Sequence, residues 1–235
     1  MQERCVPLLG SIALEKLRHS HICIFGVGGV GGFVCEGLAR MGVDEFTIVD
    51  YDTVCLSNVN RQIIALHSTL GRKKAEVMRE RILDINPEAA VHTVDCFVGK
   101  DTIELFDFRK FTYVIDCVDN VTAKLCIIAK AKQYDVPVIS SMGTGNKLNP
   151  LLFRIADISK TSVCPLARII RLELRKRGIQ NVKVLFSTEE PIKGSAFVAS
   201  VSFVPSVAGL LIAGEVVRDI AASTVSLYDI KDHTL

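Results

Sequence analysis

The chain has almost no net charge. Lysine and arginine number 28 against 26 aspartates and glutamates, a balance of +2, and the isoelectric point is near 8.1. No global basic field advertises a nucleic-acid partner, so any such surface has to be a local patch. Paired cysteines are also missing. The eight stand at 5, 23, 35, 55, 96, 117, 126 and 164, with no CxxC and no two closer than nine residues. That removes the paired-cysteine zinc signature and argues against a disulfide framework, leaving reduced thiols in a cytoplasmic setting. The first twenty residues carry charge through their apolar stretch and lack the layout of a secretory leader. There is no internal repeat or low-complexity segment. One uncharged stretch, 195–214, has the length of a bilayer span. Three serines and Pro205 interrupt it, which predicts a buried strand followed by a core helix and no membrane association.

Against these absences stands ample material for a core. The 235 residues are 49% hydrophobic with a mean hydropathy of +0.33. This suits one domain over 1–235, with a nucleotide-binding half at about 8–150 and a substrate-facing half at about 151–222. Residues 8–18 read as an amphipathic lead-in helix with Leu8, Leu14 and Leu17 as core contacts. The run 21–25, the segment GVGGVGG, a helix from about 29 to 41 and the run 46–50 make a βαβ unit. Ala75, Met78, Ile82 and Ile85 recur at helical spacing, and Asn86-Pro87 ends that helix. Strands are expected at 90–94, 113–117 and 136–141, with a helix at 122–134. After 150 the pattern loosens into a strand at 151–155, a basic helix at 165–177, a strand at 182–187 and a helix near 205–222. The alternation predicts an α/β fold with a doubly wound, mostly parallel, Rossmann-like sheet.

Gly26, Gly28 and Gly31 form a GxGxxG between the first strand and its helix. The first allows a tight turn, the second lets a phosphate approach the backbone, and the third lets helix and strand pack closely. Asp50 ends the next strand nineteen residues later, where a carboxylate can accept both ribose hydroxyls. NAD would need little more. ATP would need cations for a triphosphate and a carboxylate for Mg²⁺, and the Walker sequence is absent. Arg61 and Lys74 can reach phosphate oxygens, Asn58 can orient them, and Asp119 follows a strand at the edge where open α/β sheets bind ligands. Singly these are ordinary loop residues. As a set they are a triphosphate constellation that a dehydrogenase has no reason to carry.

In order along the chain, GVGGVG, D-Y-D, S-N-x-N-R-Q, G-x-x-K and D-x-x-D-N resemble the motifs of the ThiF/MoeB/HesA adenylating enzymes, over about residues 10–145. The resemblance implies that a substrate carboxylate attacks the α-phosphate of ATP to give an acyl-adenylate. It implies Asp50 on the ribose, Asn58, Arg61 and Lys74 on phosphates, and Asp119 on Mg²⁺, with Arg61, Lys74 and Asp119 as the catalytic set. The motifs extend the nucleotide site to Gly26, Gly28, Gly29, Gly31, Asp52, Gln62 and Asn120. Sulfur-carrier activators of this superfamily carry two CxxC pairs, which are missing here, and no exposed catalytic cysteine is evident. The runs 140–150, 157–179, 186–191 and 202–219 instead look like the branch that dehydrates threonylcarbamoyladenosine in tRNA. That branch implies a tRNA substrate and a homodimer, and leaves open an alkali-metal ion, a sulfur-relay partner and whether AMP or ADP is released. In related enzymes a partner subunit supplies an arginine; Arg4 and Arg18 are the candidates, and neither lies in a clear motif.

The charge pattern points the same way. Residues 160–183 hold seven cations and one acid, +6, leaving −4 for the rest. Arg168, Arg171 and Arg175 repeat along one helix face, and with Lys176 and Arg177 they form the candidate tRNA contact. His19, His21, His67, His92 and His233 are scattered and suggest no catalytic base. Lys147 and Ser187 are polar positions without an assigned role.

Overall fold

A computed structural model describes residues 2–194 and 198–222. His233 and residues 195–197 of the uncharged stretch lie outside the described residues. Seven strands, β1 (His21–Phe25), β2 (Glu45–Val49), β3 (Ala90–Val94), β4 (Tyr113–Asp116), β5 (Val138–Ser141), β6 (Phe153–Asp157) and β7 (Lys183–Ser187), form one sheet in the order β3-β2-β1-β4-β5-β7-β6. All pairings are parallel except that of edge strand β6 with β7. Ile22 through Phe25 are wholly buried, as an unbroken apolar run must be in a central parallel strand covered on both faces. Ile22 and Ile24 enter one core layer, while Cys23 and Phe25 enter the other.

Helices α1 (Val6–Leu9), α2 (Ser11–Arg18), α3 (Gly31–Arg40), α4 (Lys74–Ile85), α5 (Val121–Gln133), α6 (Pro165–Lys176) and α7 (Phe203–Ala222) follow the expected alternation. Helices α2, α3, α4 and α7 share one face of the sheet, and α5 and α6 cover the other. The direction of winding therefore reverses between β1 and β4. This opens a crevice at their carboxyl ends, the ligand position of doubly wound sheets. Within α7, Val204, Ala208, Ile212, Val216 and Ile220 turn inward at a spacing of four.

Two expectations need correction. The lead-in helix is broken at Gly10 (φ 77), and Leu8 is 80% exposed, whereas Leu14 and Leu17 are buried. The positive φ redirects the chain, so Leu8 faces outward and α1 reaches the core only through half-buried Leu9. The predicted strand before α7 does not form over the described residues 198–202, which are irregular. The Ala199 carbonyl accepts from the Asn146 amide (2.8 Å) and the Ala199 amide donates to Asn146 Oδ1 (2.7 Å), so its backbone groups are satisfied outside any sheet ladder. Among the described residues no helix is long and apolar enough to cross a membrane.

Glu36 ties α3 to α4, accepting from Arg81 Nε (2.6 Å) and Arg40 Nε (2.7 Å). Burial pushes its carboxyl pKa up, but the two guanidinium groups outweigh that and hold it below the usual glutamate value. A carboxyl with a depressed folded pKa stabilises above its unfolded pKa, and that stabilisation is lost as pH falls through the folded value. Glu36→Gln is therefore expected to lower stability by about 1–2 kcal/mol at neutral pH. The gap to the unmodified protein should close in acid, read by denaturant melts at several pH values.

Candidate nucleotide site and basic helix

The glycine turn sits at the crevice. Gly26 has φ 84 and donates its amide to the Val49 carbonyl (2.8 Å). At Gly31 a methyl carbon would lie 1.8 Å from the Gly26 carbonyl oxygen, so α3 can start this close to β1 only with glycine there. Asp50 anchors the turn. One carboxylate oxygen accepts from the Val27 amide (2.8 Å) and the other from Asp52 N (2.9 Å). Burial raises its pKa, against the pull of those two amides and Lys74.

Lys74, at the start of α4, is 6% exposed and donates to Asp52 Oδ2 (2.8 Å). Asp52 thus orients the cation assigned to phosphate. Asn58 is buried, and its side-chain oxygen accepts from the Cys55 amide (3.1 Å), closing a short 3₁₀ turn. Arg61 is fixed by the Ser57 carbonyl and Asn60 Oδ1, both at 2.8 Å. Its Cγ would lie 3.5 Å from a methyl group on Gly29. Gln62 is buried against Gly28, and its Oε1 is the single buried side-chain polar atom without a partner among the described residues. A buried acceptor without a protein partner fits a ligand that brings a hydrogen-bond donor, such as a hydroxyl.

Asp119 is exposed just beyond β4. Tyr51 senses it: Asp52, partial desolvation, and then Asp119 and Asp50 raise the Tyr51 hydroxyl pKa. The carboxylates 50, 52 and 119 therefore share one electrostatic neighbourhood. Asn120 has a structural task, capping α5 by accepting from the Ala123 amide (3.0 Å).

The basic helix is less uniform than its sequence. Arg168, Arg175, Lys176 and Arg177 are exposed, but Arg171 is half-buried and donates to the Thr161 carbonyl (2.8 Å) and hydroxyl (2.5 Å). Lys176 pairs with Glu173 (2.6 Å), and Lys183 lies between Glu215 (2.8 Å) and Asp219 (2.7 Å) of α7. The +6 run is thus partly neutralised by acids up to 36 residues away. Because α6 leads into the parallel strand β7, its first turn lies at the carboxyl edge of the sheet and its last turn at the opposite edge. Arg168 is near the crevice side, while Arg175 to Arg177 stand about 15 Å further along the helix than Pro165. Arg18 is likewise at the amino edge, 3.6 Å from Asp44, and Arg4 is exposed.

Several features had not been anticipated. Cys55 is an exposed thiol whose Sγ donates to the Thr53 carbonyl (3.6 Å). Lys147 is 3% exposed with its ammonium on the Glu189 carbonyl, and burial lowers its pKa. Ser187 is fully buried and accepts from the Glu189 amide (3.1 Å). Val163, β-branched yet at φ 62, lines a cavity of about 550 Å³ with Asn146, Pro165, Glu190 and Lys193 at the amino end of α6. A larger cavity of about 1030 Å³ lies near Glu15, Tyr113 and Asp219, at the edge away from the glycine turn. Asp116 and Lys124, neither assigned from sequence, are both fully buried against each other (3.1 Å). Of the four described histidines, 19, 21 and 92 face Glu15, Glu45 and Glu45, and His67 is exposed in a 3₁₀ turn.

A family model described as the ThiF family matches residues 2–229. The tRNA threonylcarbamoyladenosine dehydratase of Bacillus subtilis (strain 168) is 43% identical over 231 residues, covering 90% of this chain and 91% of that protein. Among solved structures, the E. coli tRNA N6-threonylcarbamoyladenosine dehydratase TcdA in complex with ATP superposes with a TM-score of 0.88 at 34% identity, covering 93% of each chain. The same protein in complex with AMP gives 0.88 at 35% identity over the same share.

Proposed function

The chain belongs to the ThiF family, and from that premise we propose that it is an ATP-dependent tRNA threonylcarbamoyladenosine dehydratase built as one adenylating domain. The carrying observation is the conjunction of the glycine turn, Asp50, Arg61, Gln62 and Lys74 around one crevice, in a chain similar along nine tenths of its length to a dehydratase of that name. ATP is a substrate. Asp50 keeps lone pairs for the ribose hydroxyls, and the glycine turn presents amides at the start of α3 to the phosphates. Arg61 and Lys74 offset phosphate charge, and Gln62 Oε1, an acceptor, takes a hydrogen bond from a nucleotide hydroxyl or amino group, since phosphate oxygens have none to give.

The threonine carboxylate of the modified adenosine attacks the α-phosphorus, and pyrophosphate leaves. A nucleophile of the same nucleoside then attacks the acyl carbon, closing a ring and releasing AMP with the carboxylate oxygen, a net loss of water. The substrate brings its own nucleophile, so the protein contributes positioning and charge rather than a triad. The 550 Å³ cavity at the amino end of α6, lined by Asn146, Pro165 and Lys193, is where this reading places the modified base.

A Mg²⁺ ion fits this site only as a companion of ATP. No cluster of three ligating side chains exists among the described residues, and Asp119, exposed beside the crevice, offers the single carboxylate that such an ion uses with phosphate oxygens. When bound, it would neutralise phosphate charge. The reading also includes a cytoplasmic homodimer, for which the exposed Phe203, Leu210 and Leu211 of α7 offer an apolar surface.

The test is ATP consumption with threonylcarbamoylated tRNA, unmodified tRNA or small proteins ending in Gly-Gly. Stimulation by the modified tRNA alone is expected; stimulation by the protein substrates alone would overturn the reading. For the RNA contact, Arg168→Glu should weaken tRNA binding more than Lys176→Glu, because Lys176 is already paired and lies at the far end of α6. Removing one cation–phosphate interaction should flatten the log–log salt slope by about 0.7–0.9. Equal effects at the two positions would contradict this placement.

A further inference from the structure

Asp116 and Lys124 are both fully buried at the end of β4 and the second turn of α5. Asp116 Oδ1 accepts from the Val118 amide (3.2 Å), and Oδ2 accepts from Lys124 Nζ (3.1 Å) and Ser140 Oγ (2.5 Å). Lys124 also donates to the Ser141 carbonyl (2.6 Å) and lies 3.4 Å from Ser140 Oγ. A buried ion pair is a poor way to gain stability, because desolvation cancels much of the attraction and a packed apolar pair does as well. What an apolar pair cannot do is hold several oriented polar groups at once.

Those groups belong to the two segments that the reaction must bring together. On one side, Val118 lies in the turn from Cys117 to Asp119. Its neighbour Cys117 donates to the Phe25 carbonyl (2.8 Å) and packs its backbone on Gly26. On the other side, Ser140 and Ser141 end β5 and open the loop that carries Asn146, at the 550 Å³ cavity, and buried Lys147. We infer that Asp116 and Lys124 are positioning residues, a buried clamp that sets the Asp119 turn against the 142–147 loop so that nucleotide and substrate carboxylate meet in line. The inference rests on the carboxylate-activation reading above.

The two can fail separately. Turnover of modified tRNA by the unaltered protein tests the reading; the variants then test the clamp. Asp116→Asn with Lys124→Met removes both charges and leaves neither charge orphaned, so the double variant should still fold, its melting midpoint lowered only by the donor lost to the Ser141 carbonyl. Its ATP affinity should change little, while kcat falls about 100-fold, the scale of a misplacement near 1 Å. Ser140→Ala, a smaller change, should lower kcat with KM for ATP unchanged. A purely structural pair would recover activity along with stability in the double variant. Unaltered kcat in the folded double variant, or in Ser140→Ala if the double variant does not fold, overturns the inference.

Discussion

Asp119→Ala is expected to abolish turnover, lowering kcat by about 10²–10³-fold or more, as removal of a group that stabilises transition-state charge does elsewhere. The side chain is exposed beyond β4, and among the described residues no basic side chain pairs with it, so its removal orphans no buried partner and the fold should be indifferent. ATP binding should weaken without disappearing, because the glycine turn, Asp50, Arg61 and Lys74 remain in place. Single-turnover rates and equilibrium ATP binding, measured on the same preparation, separate the two effects. Full activity would remove Asp119 from the catalytic set.

Gly31→Ala should damage fold and binding together. The new methyl carbon would sit 1.8 Å from the Gly26 carbonyl oxygen, a backbone atom that cannot swing aside. Relief requires prising α3 from β1, at a cost of about 1–3 kcal/mol or more, and opening the turn that presents amides to phosphate. Gly28→Ala is the informative contrast. There the nearest atom is Gln62 Nε2 at 3.6 Å, an ordinary contact, so the protein should melt normally. Its methyl group would nonetheless stand where a phosphate approaches the backbone, and ATP affinity should fall. Thermal melts with and without ATP distinguish the outcomes. Similar loss of melting temperature in both variants would contradict the separate roles of the two glycines.

Local signals account for most of the nucleotide half. The unbroken run 21–25, the glycine spacing and the acid at the end of 46–50 all report on neighbours close in sequence, and the elements stand where those signals place them. The errors lie where distant partners decide. Leu8 has the spacing of a core residue, but Gly10 turns the chain away. Lys183 counts as a free cation until folding sets it beside Glu215 and Asp219, and Arg171 until it meets Thr161. Residues 198–202 are apolar enough for a strand, yet Asn146 satisfies Ala199 instead. Lys124 did leave a trace: it lies between Ala123 and Leu125 with Ile127 and Ile128 following, an inward helix position where only a paired lysine is tolerated. Its partner sits eight residues away across a turn, beyond any helical period.

The most direct measurement follows an oxygen atom. Modified tRNA carrying heavy oxygen in its threonine carboxylate is incubated with ATP and the protein, and the products are resolved by mass spectrometry. Attack of the carboxylate on the α-phosphorus predicts a nucleoside lighter by one water and the departing heavy oxygen in AMP. Heavy oxygen in inorganic phosphate with ADP as co-product, or in free water with ATP unconsumed, would contradict the account.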